Sequence, residues 1–274
     1  MLIGMDQRLP DIVVIGAMKA GTTSLYRWLE QHPRVEMPAR KEPETLLRAD
    51  DPAADYSRLL GAIDPDALTV DASARYGHPD EAPRVARTVA HLLPDARLVY
   101  LVRDPEQRLR SHYRHQHQRG RERRSLVEAV TEPGNPYVAH SCYADVVEAY
   151  DAELGPGRLH VWSFERLVGD DGTEWSRLLA GLDLAPMPRP DDAYNTDRDK
   201  GQFRPWTRAL YDRGLVAALP RPLRRLRRLG VDDSARARAR RAQAGAEPLP
   251  ADVRALLAEQ AARLRARVGD PAIV

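Results

Sequence analysis

A short turn near the amino terminus combines the residue types that bind phosphate. Lys19 lies between Gly16 and Gly21, and three hydroxyl residues follow directly at positions 22–24. The glycines permit a tight turn in which the backbone approaches a ligand closely. Backbone N–H groups at the start of a helix, with hydroxyls and an ammonium beside them, attract anions. The turn is therefore predicted to cradle a phosphate group.

The order of residues differs from that of the loop that binds Mg²⁺–nucleoside triphosphates. That loop places its lysine directly after the second glycine, followed by a hydroxyl residue that binds Mg²⁺. Here Lys19 stands two residues before Gly21. Taken alone, the turn leaves other phosphate-binding folds open.

The elements around the turn predict an α/β fold. Residues 12–15 are apolar and β-branched, which is typical of a buried parallel strand. Further strands are predicted at residues 68–71 and 97–102, with an amphipathic helix at 81–93 between them. Strands that alternate with helices indicate a mostly parallel central sheet flanked by helices.

A second anion site is predicted where the strand at 97–102 ends. Arg103 follows the strand, Asp104 is a good helix N-cap, and Pro105 suits the first helical position. Ser111 comes eight residues after Arg103, about two helical turns along. Since ligands of open α/β sheets bind at the carboxyl ends of strands, Arg103 and Ser111 can converge on one anion.

Lysine is rare in this chain. Of 42 cationic residues, only Lys19, Lys41 and Lys200 are lysine, and the rest are arginine. A compact ammonium differs from a planar guanidinium in size, hydration and tunable pKa. The three lysines are therefore candidates for chemistry, with chance retention as the alternative.

The two motifs together resemble those of sulfotransferases that use 3′-phosphoadenosine-5′-phosphosulfate (PAPS). The turn at 16–24 is similar to their 5′-phosphosulfate loop, and Arg103-Asp104-Pro105 with Ser111 is similar to their 3′-phosphate motif. The resemblance implies a P-loop-like, three-layer α/β fold in one domain, 1–274, with a helical carboxyl-terminal region from about 203. Residues 248–269 are similar to the usual terminal helix of the family, with Val253, Leu256, Leu257 and Leu264 expected to face inward. It implies PAPS as sulfuryl donor, adenosine 3′,5′-bisphosphate as product, and no metal.

The resemblance also implies residue roles. Lys19 is expected to bond the 5′-phosphate oxygen that bridges to sulfur, where negative charge builds in the transition state. Lys200 and Gly201 are expected to help hold the 3′-phosphate. The full donor-binding set is Lys19, Ala20, Gly21, Thr22, Thr23, Ser24, Arg103, Ser111, Lys200 and Gly201.

The base for the acceptor is expected at Glu42. Lys41-Glu42-Pro43 resembles a Lys-Glu-Pro-His segment of heparan-type sulfotransferases, whose glutamate deprotonates the sugar hydroxyl. Glu44 stands where that histidine would be. The alternative is that Glu42 forms a loop salt bridge with Lys41 or Arg40.

The segment that ends the predicted strand at 68–71 departs from the same group. Asp71-Ala72-Ser73 stands where those enzymes often carry Glu-Lys-Thr/Ser, so Ala72 removes a cation from the catalytic site. Ser73 is still expected to hydrogen-bond the donor or the acceptor, and it is counted with Lys19 and Glu42 as a catalytic candidate.

Composition limits the other function classes. The 274 residues are 43% hydrophobic and 30% charged with net charge +2, so no global field favours nucleic acid or a membrane surface. No apolar run is long enough to span a bilayer, and no signal-peptide core is present, which favours a cytoplasmic, bacterial-type enzyme. A single cysteine, Cys142, excludes an intrachain disulfide.

Two arginine-rich runs have ordinary interpretations. Residues 108–124 are expected to form a solvated helix face, with a rim that attracts an anionic acceptor as the alternative. Residues 221–241 lack the interleaved aromatic residues of nucleic-acid binders, so contact with nucleic acid is not expected.

Three functions remain open at this point. The leading one is sulfuryl transfer from PAPS to a hydroxyl of a small molecule, lipid or sugar. The others are a P-loop kinase-like phosphotransferase and a non-catalytic nucleotide or anion binder. The sequence leaves the acceptor and the oligomeric state open.

Overall fold

The structure is a computed structural model. It describes residues 7–169, 171–190, 202–203, 231–232, 245–270 and 273–274. Lys200, Gly201 and nearly all of the basic run 221–241 lie outside these residues. Between residues 190 and 245 the described residues are Gln202–Phe203 and Val231–Asp232, which pair as antiparallel strands. The single domain and its helical region from about 203 therefore stay predictions.

The centre of the fold is a five-stranded sheet in the order β2-β3-β1-β4-β5, in which every pairing is parallel. The carboxyl ends of β3, β1 and β4 therefore meet at one edge of the sheet. This confirms the predicted α/β fold with a central parallel sheet. The strands are β1 (Ile12–Gly16), β2 (Val35–Glu36), β3 (Leu68–Ala72), β4 (Arg97–Val102) and β5 (Leu159–Ser163).

Helices cover both faces of the sheet. They are α1 (Thr22–Leu29), α2 (Thr45–Arg48), α3 (Pro52–Leu60), α4 (Ala82–Leu92), α5 (Pro105–Gln118), α6 (Leu126–Thr131), α7 (Pro136–Ala139), α8 (Tyr143–Leu154), α9 (Phe164–Gly169), α10 (Thr173–Gly181) and α11 (Ala251–Val268), with a 3₁₀ turn at Ala74–Gly77. Alternate residues of β1 face opposite sides, as a pleated strand requires. Val13 and Ile15 pack with α4, α8 and α11, whereas Ile12 and Val14 pack with α1 and α10.

The terminal helix α11 follows the predicted span of 248–269 closely. Val253, Leu257 and Leu264 are buried as predicted. Leu256 is 39% exposed, so its predicted inward orientation is wrong. The buried residues recur at intervals of three or four along one helical stripe, and position 256 lies beside that stripe.

The helix α5 corrects the prediction of a solvated arginine- and histidine-rich face. Arg108 and His112, one turn apart, are 0% and 2% exposed. The Nη2 of Arg108 lies 2.9 Å from His112 Nδ1, and it donates to the carbonyl of Tyr137 at 3.2 Å. Composition gave no sign of this, because the stripe is buried by α7, which comes later in the chain.

Candidate active site

The turn after β1 depends on glycine at both ends. Gly16 has φ +151°, and a Cβ there would lie 3.2 Å from the Ala74 carbonyl oxygen. Gly21 has φ +98°, and a Cβ there would collide with the Phe164 ring. Lys19 itself has φ 73°, a left-handed conformation that non-glycine residues seldom adopt. The shape of this turn therefore requires glycine at positions 16 and 21, and few other sequences could adopt it.

The amino end of α1 is suited to an anion. The helix begins at Thr22 after Gly21, whose carbonyl accepts from the N–H groups of Ser24 and Leu25 at 2.9 and 3.1 Å. Its first turn holds no acidic residue and no side-chain cap. Ala20 is fully buried and donates its N–H to the Ala17 carbonyl at 3.0 Å, which fixes the turn. The positive end of the helix is therefore left available to a negative group.

Arg103 follows β4 and is held in place by its neighbours. Its Nη2 donates to Gln107 Oε1 at 2.9 Å, and its Nε lies 3.3 Å from Glu165 Oε1. The predicted N-cap is confirmed, since Asp104 accepts from the Gln107 N–H at 2.8 Å. Ser111 lies on the buried side of α5 and is 4% exposed.

Lys41 joins the loop after β2 to the turn after β1. Its Nζ donates to Thr23 Oγ1 at 3.0 Å and lies 5.6 Å from the centroid of the Tyr26 ring. It is also 3.8 Å from Glu42 Oε1. Both side chains of this ion pair are more than a third exposed, so the pair holds Glu42 only weakly.

The two glutamates of this loop are in different situations. Glu44 Oε2 lies 2.6 Å from Arg48 Nε and 3.7 Å from Arg75 Nη1. Its side chain is 16% exposed, against 44% for Glu42. Glu44 is therefore neutralised by two arginines, and Glu42 is the carboxylate that can change partners.

Ser73 holds the backbone of the loop that carries Glu42 and Glu44. Its Oγ accepts from the Glu44 N–H at 3.0 Å and donates to Asp71 Oδ1 at 2.6 Å. The residue is 0% exposed. Because its proton is directed at Asp71 and it has no exposed surface, the structure places Ser73 as a support of the Glu44 backbone.

Asp71 is the centre of a buried hydroxyl network that the sequence did not predict. Its Oδ2 accepts from the hydroxyls of Tyr56 at 2.6 Å and Tyr76 at 2.7 Å. The Tyr76 hydroxyl in turn accepts from the Leu46 N–H at 3.1 Å. Burial raises the pKa of Asp71, and its three hydroxyl donors work in the opposite direction. The network fixes the loop at two backbone positions, Glu44 and Leu46.

The predicted residues thus gather at one edge of the sheet. Residues 19–24 follow β1, Ser73 follows β3, and Arg103 follows β4 with Ser111 on the next helix. Glu42 reaches this edge through the contact of Lys41 with Thr23. Lys200 and Gly201 lie outside the described residues.

A sulfotransferase domain model matches residues 9–185, more than half of the chain, and the chain belongs to this family. It is 29% identical over 219 residues to "Bifunctional heparan sulfate N-deacetylase/N-sulfotransferase 3" of Homo sapiens, a match that covers 71% of this chain and 24% of the relative. It is 32% identical over 110 residues to "Membrane-associated sulfotransferase kil1" of Dictyostelium discoideum, covering 38% of this chain and 22% of the relative. The chain therefore spans about a quarter of the length of these relatives.

Solved structures agree on the fold. A sulfotransferase from Alicyclobacillus acidocaldarius superposes with TM-score 0.62 at 21% identity, covering 96% of each chain. The sulfotransferase domain from the curacin biosynthetic pathway superposes with TM-score 0.51 at 19% identity, covering 92% of this chain and 98% of that domain. No helix in the described part of this chain has the length and apolarity to cross a bilayer.

Proposed function

We propose that this protein transfers the sulfuryl group of PAPS to a hydroxyl of a sugar, lipid or small molecule. One observation carries the proposal. The Lys19 turn, the Lys41–Glu42 loop and the Arg103–Ser111 helix start meet at a single edge of the sheet, and Lys41 links the first two through Thr23. The residues that would bind PAPS and the residue that would activate the acceptor hydroxyl are thereby close together.

The chain's residues fit such a donor. Glycines at 16 and 21 permit the tight turn in which the backbone can approach a ligand, and the first turn of α1 carries no acidic residue to repel a 5′-phosphosulfate. Arg103, oriented by Gln107 and Glu165, offers a guanidinium to the 3′-phosphate, with the Ser111 hydroxyl on the helix that follows. The expected contact of Lys200 and Gly201 with the 3′-phosphate stays a prediction.

Lys19 takes the role of charge stabilisation in this proposal. PAPS supplies a sulfuryl group on a phosphate leaving group, whose bridging oxygen gains negative charge as the S–O bond lengthens. An ammonium at that oxygen stabilises the transition state more than the ground state. Lys41 donates a hydrogen bond to Thr23 and so adds a second cation at the amino end of α1. This cation partly replaces the lysine that the heparan-type enzymes often carry where this chain has Ala72.

Glu42 takes the role of base. It carries the exposed carboxylate of the loop, and the strained backbone at residues 42 and 44 presents it, with φ of 50° and 54°. Glu44 is already paired with Arg48 and Arg75 and does not compete. A positioned carboxylate can accept the proton of a hydroxyl as that hydroxyl attacks sulfur.

The alternatives lack support of this kind. A kinase-like phosphotransferase needs a lysine directly after the second glycine, and here Thr22 stands in that position. Thr23 matches the hydroxyl residue that binds Mg²⁺ in that motif, so the displaced lysine is the feature that argues against a kinase. A non-catalytic binder does not need the strained, network-supported Glu42 loop. The heparan sulfate named in the human relative favours sugars within the proposed acceptor classes. The cytoplasmic location stays a prediction.

The test is transfer of labelled sulfate. The full chain is incubated with ³⁵S-labelled PAPS and a panel of sugars, lipids and phenols, and in parallel with γ-labelled ATP and Mg²⁺. We expect label in an acceptor from PAPS only, and about 10²–10³-fold slower labelling when Lys19 is replaced by alanine. Label transferred from ATP and not from PAPS would establish the phosphotransferase instead.

A further inference from the structure

Two histidines and an aspartate that have no role in the proposed transfer converge on one another. In the described part of the chain, ligand atoms of His78, Asp80 and His140 all lie within 4.8 Å of one another. His78 and Asp80 follow the 3₁₀ turn at Ala74–Gly77, and His140 follows α7. The three residues therefore join two turns that are some 60 residues apart in sequence.

One of these ligand atoms has no partner in the part of the chain that the structure describes. No described group forms a hydrogen bond with the buried Nδ1 of His140. Asp80 forms no ion pair within the described residues, whereas the adjacent Glu81 binds both Arg75 and Arg84. Buried polar atoms in native proteins nearly always have a partner, so the vacancy at His140 calls for an explanation.

The imidazoles are prepared to act as ligands. The rings of His78 and His140 stack with centroids 4.0 Å apart, and the rings of His112 and His140 stack with centroids 5.6 Å apart. Stacking holds both rings in place, and the neutral imidazole is the form that binds metals.

Geometry and charge permit a small dication. Two imidazoles on one tetrahedral zinc ion, with Zn–N of about 2 Å, have ring centroids about 5 Å apart, so the stack must open by about 1 Å. Arg75 and Arg108 lie near His78 and oppose a cation, while Asp80 and Glu81 favour one. Because Glu81 is already paired with Arg75 and Arg84, Asp80 is the carboxylate that remains to offset the charge of the ion.

We propose that His78, Asp80 and His140 form a zinc site that clamps these two turns together. Two imidazoles and a carboxylate are a ligand set that zinc accepts, with water in the fourth position. The first turn continues from Ser73, which supports the Glu42 loop. The second leads into Ser141, whose hydroxyl donates to the Pro105 carbonyl at the start of α5. The ion would thus stabilise the frame of the site and take no part in sulfuryl transfer.

The experiment uses the full chain without a histidine tag, stripped of metal. Zinc is titrated against a chromophoric chelator, Co²⁺ is used as a visible-absorption probe, and thermal midpoints are recorded with and without zinc. We expect one zinc ion per chain, absorption bands typical of tetrahedral Co²⁺, and a midpoint raised by about 5 °C or more near 100-fold excess over Kd.

Asp80→Asn and His140→Gln are the test variants, and His91→Ala, which removes an exposed histidine of α4, is the matched control. Each test variant should bind zinc at least about tenfold more weakly, and the control should equal wild type. Asp80 is exposed, so its variant should fold even if the His140 variant does not. Wild type that takes up no zinc, or an Asp80→Asn chain that binds zinc as tightly as wild type, would overturn the site. Neither result depends on sulfuryl transfer.

Discussion

The turn after β1 and the loop after β2 meet at the same edge of the sheet but are built by different means. The turn, residues 16–24, is shaped by its own glycines and by the start of α1. The loop, residues 38–46, has left-handed glutamates where glycine would be easier, and it is held from outside by Ser73 and Tyr76. A shape set by local sequence can be recognised in one chain, whereas a shape set by distant partners cannot.

The difference extends to what each region offers a ligand. The turn presents backbone amides and the positive end of a helix, which suit any phosphate. The loop presents one exposed carboxylate, Glu42, beside another, Glu44, that is already paired. We therefore expect substitutions in the turn to affect the donor, and substitutions in the loop to affect proton transfer.

The largest effect is expected for Glu42→Gln, which keeps the shape of the side chain and removes its basic oxygen. Turnover should fall by about 10²–10⁴, the range for a positioned base, with affinity for adenosine 3′,5′-bisphosphate nearly unchanged. Glu44→Gln is the matched control and should cost far less, because Arg48 and Arg75 hold that carboxylate. If Glu44→Gln reduces turnover more than Glu42→Gln, the base is Glu44 and the assignment to Glu42 is wrong.

Lys19→Ala should reduce turnover by about 10²–10³, the cost of one lost donor at a developing negative charge. Binding of adenosine 3′,5′-bisphosphate should weaken less, because the backbone cradle remains. Arg27→Ala, an exposed cation on α1 that pairs with Glu30, serves as control and should change neither quantity. Turnover of the Lys19 variant within a few-fold of wild type would remove the leaving-group role.

The double substitution Arg103→Ala, Ser111→Ala should flatten the preference for adenosine 3′,5′-bisphosphate over 5′-AMP by about tenfold or more, since a charge-assisted contact with the 3′-phosphate is lost. Equilibrium titration of both nucleotides measures it. Affinity for 5′-AMP should hardly change, which separates this effect from damage to the turn. If the preference survives, the 3′-phosphate is bound elsewhere.

The smallest effect on turnover is expected for Ser73→Ala. It strands the Glu44 N–H and one oxygen of Asp71, so the free energy of unfolding should fall by about 1–3 kcal/mol in urea titrations. Turnover should fall less than for Glu42→Gln, because the loop loses support and keeps its carboxylate. Ser57→Ala is the control, since the Ser57 hydroxyl has no partner among the described residues. A Ser73 variant as inactive as Glu42→Gln would support the predicted direct catalytic role of Ser73.

Much of the fold and half of the site could be predicted from the sequence. The strand at 97–102 has the predicted bounds, and Asp104 caps α5 as expected. Residues within a turn or a cap contact their sequence neighbours, so their spacing carries the information. The apolar runs of the strands likewise indicate burial without knowledge of what covers them.

The remainder depends on contacts between distant residues. Asp71 accepts from Tyr56, which is 15 residues away, and Glu44 is 29 residues from Ser73. Arg108 and His112 look solvated by composition and are buried because Tyr137 closes over them. A single sequence gives residue types but does not say which distant side chains will meet, and so this network and this buried pair were not predicted.

The central claim is that this sheet edge binds the nucleotide of PAPS, and calorimetric titration of the full chain tests it most directly. Adenosine 3′,5′-bisphosphate, 5′-AMP and ATP with Mg²⁺ are compared at one ionic strength. We predict that the bisphosphate binds at least about tenfold more tightly than either of the others, because only it engages both the Lys19 turn and Arg103. Tighter binding of ATP with Mg²⁺, or equal binding of the bisphosphate and 5′-AMP, would contradict the claim.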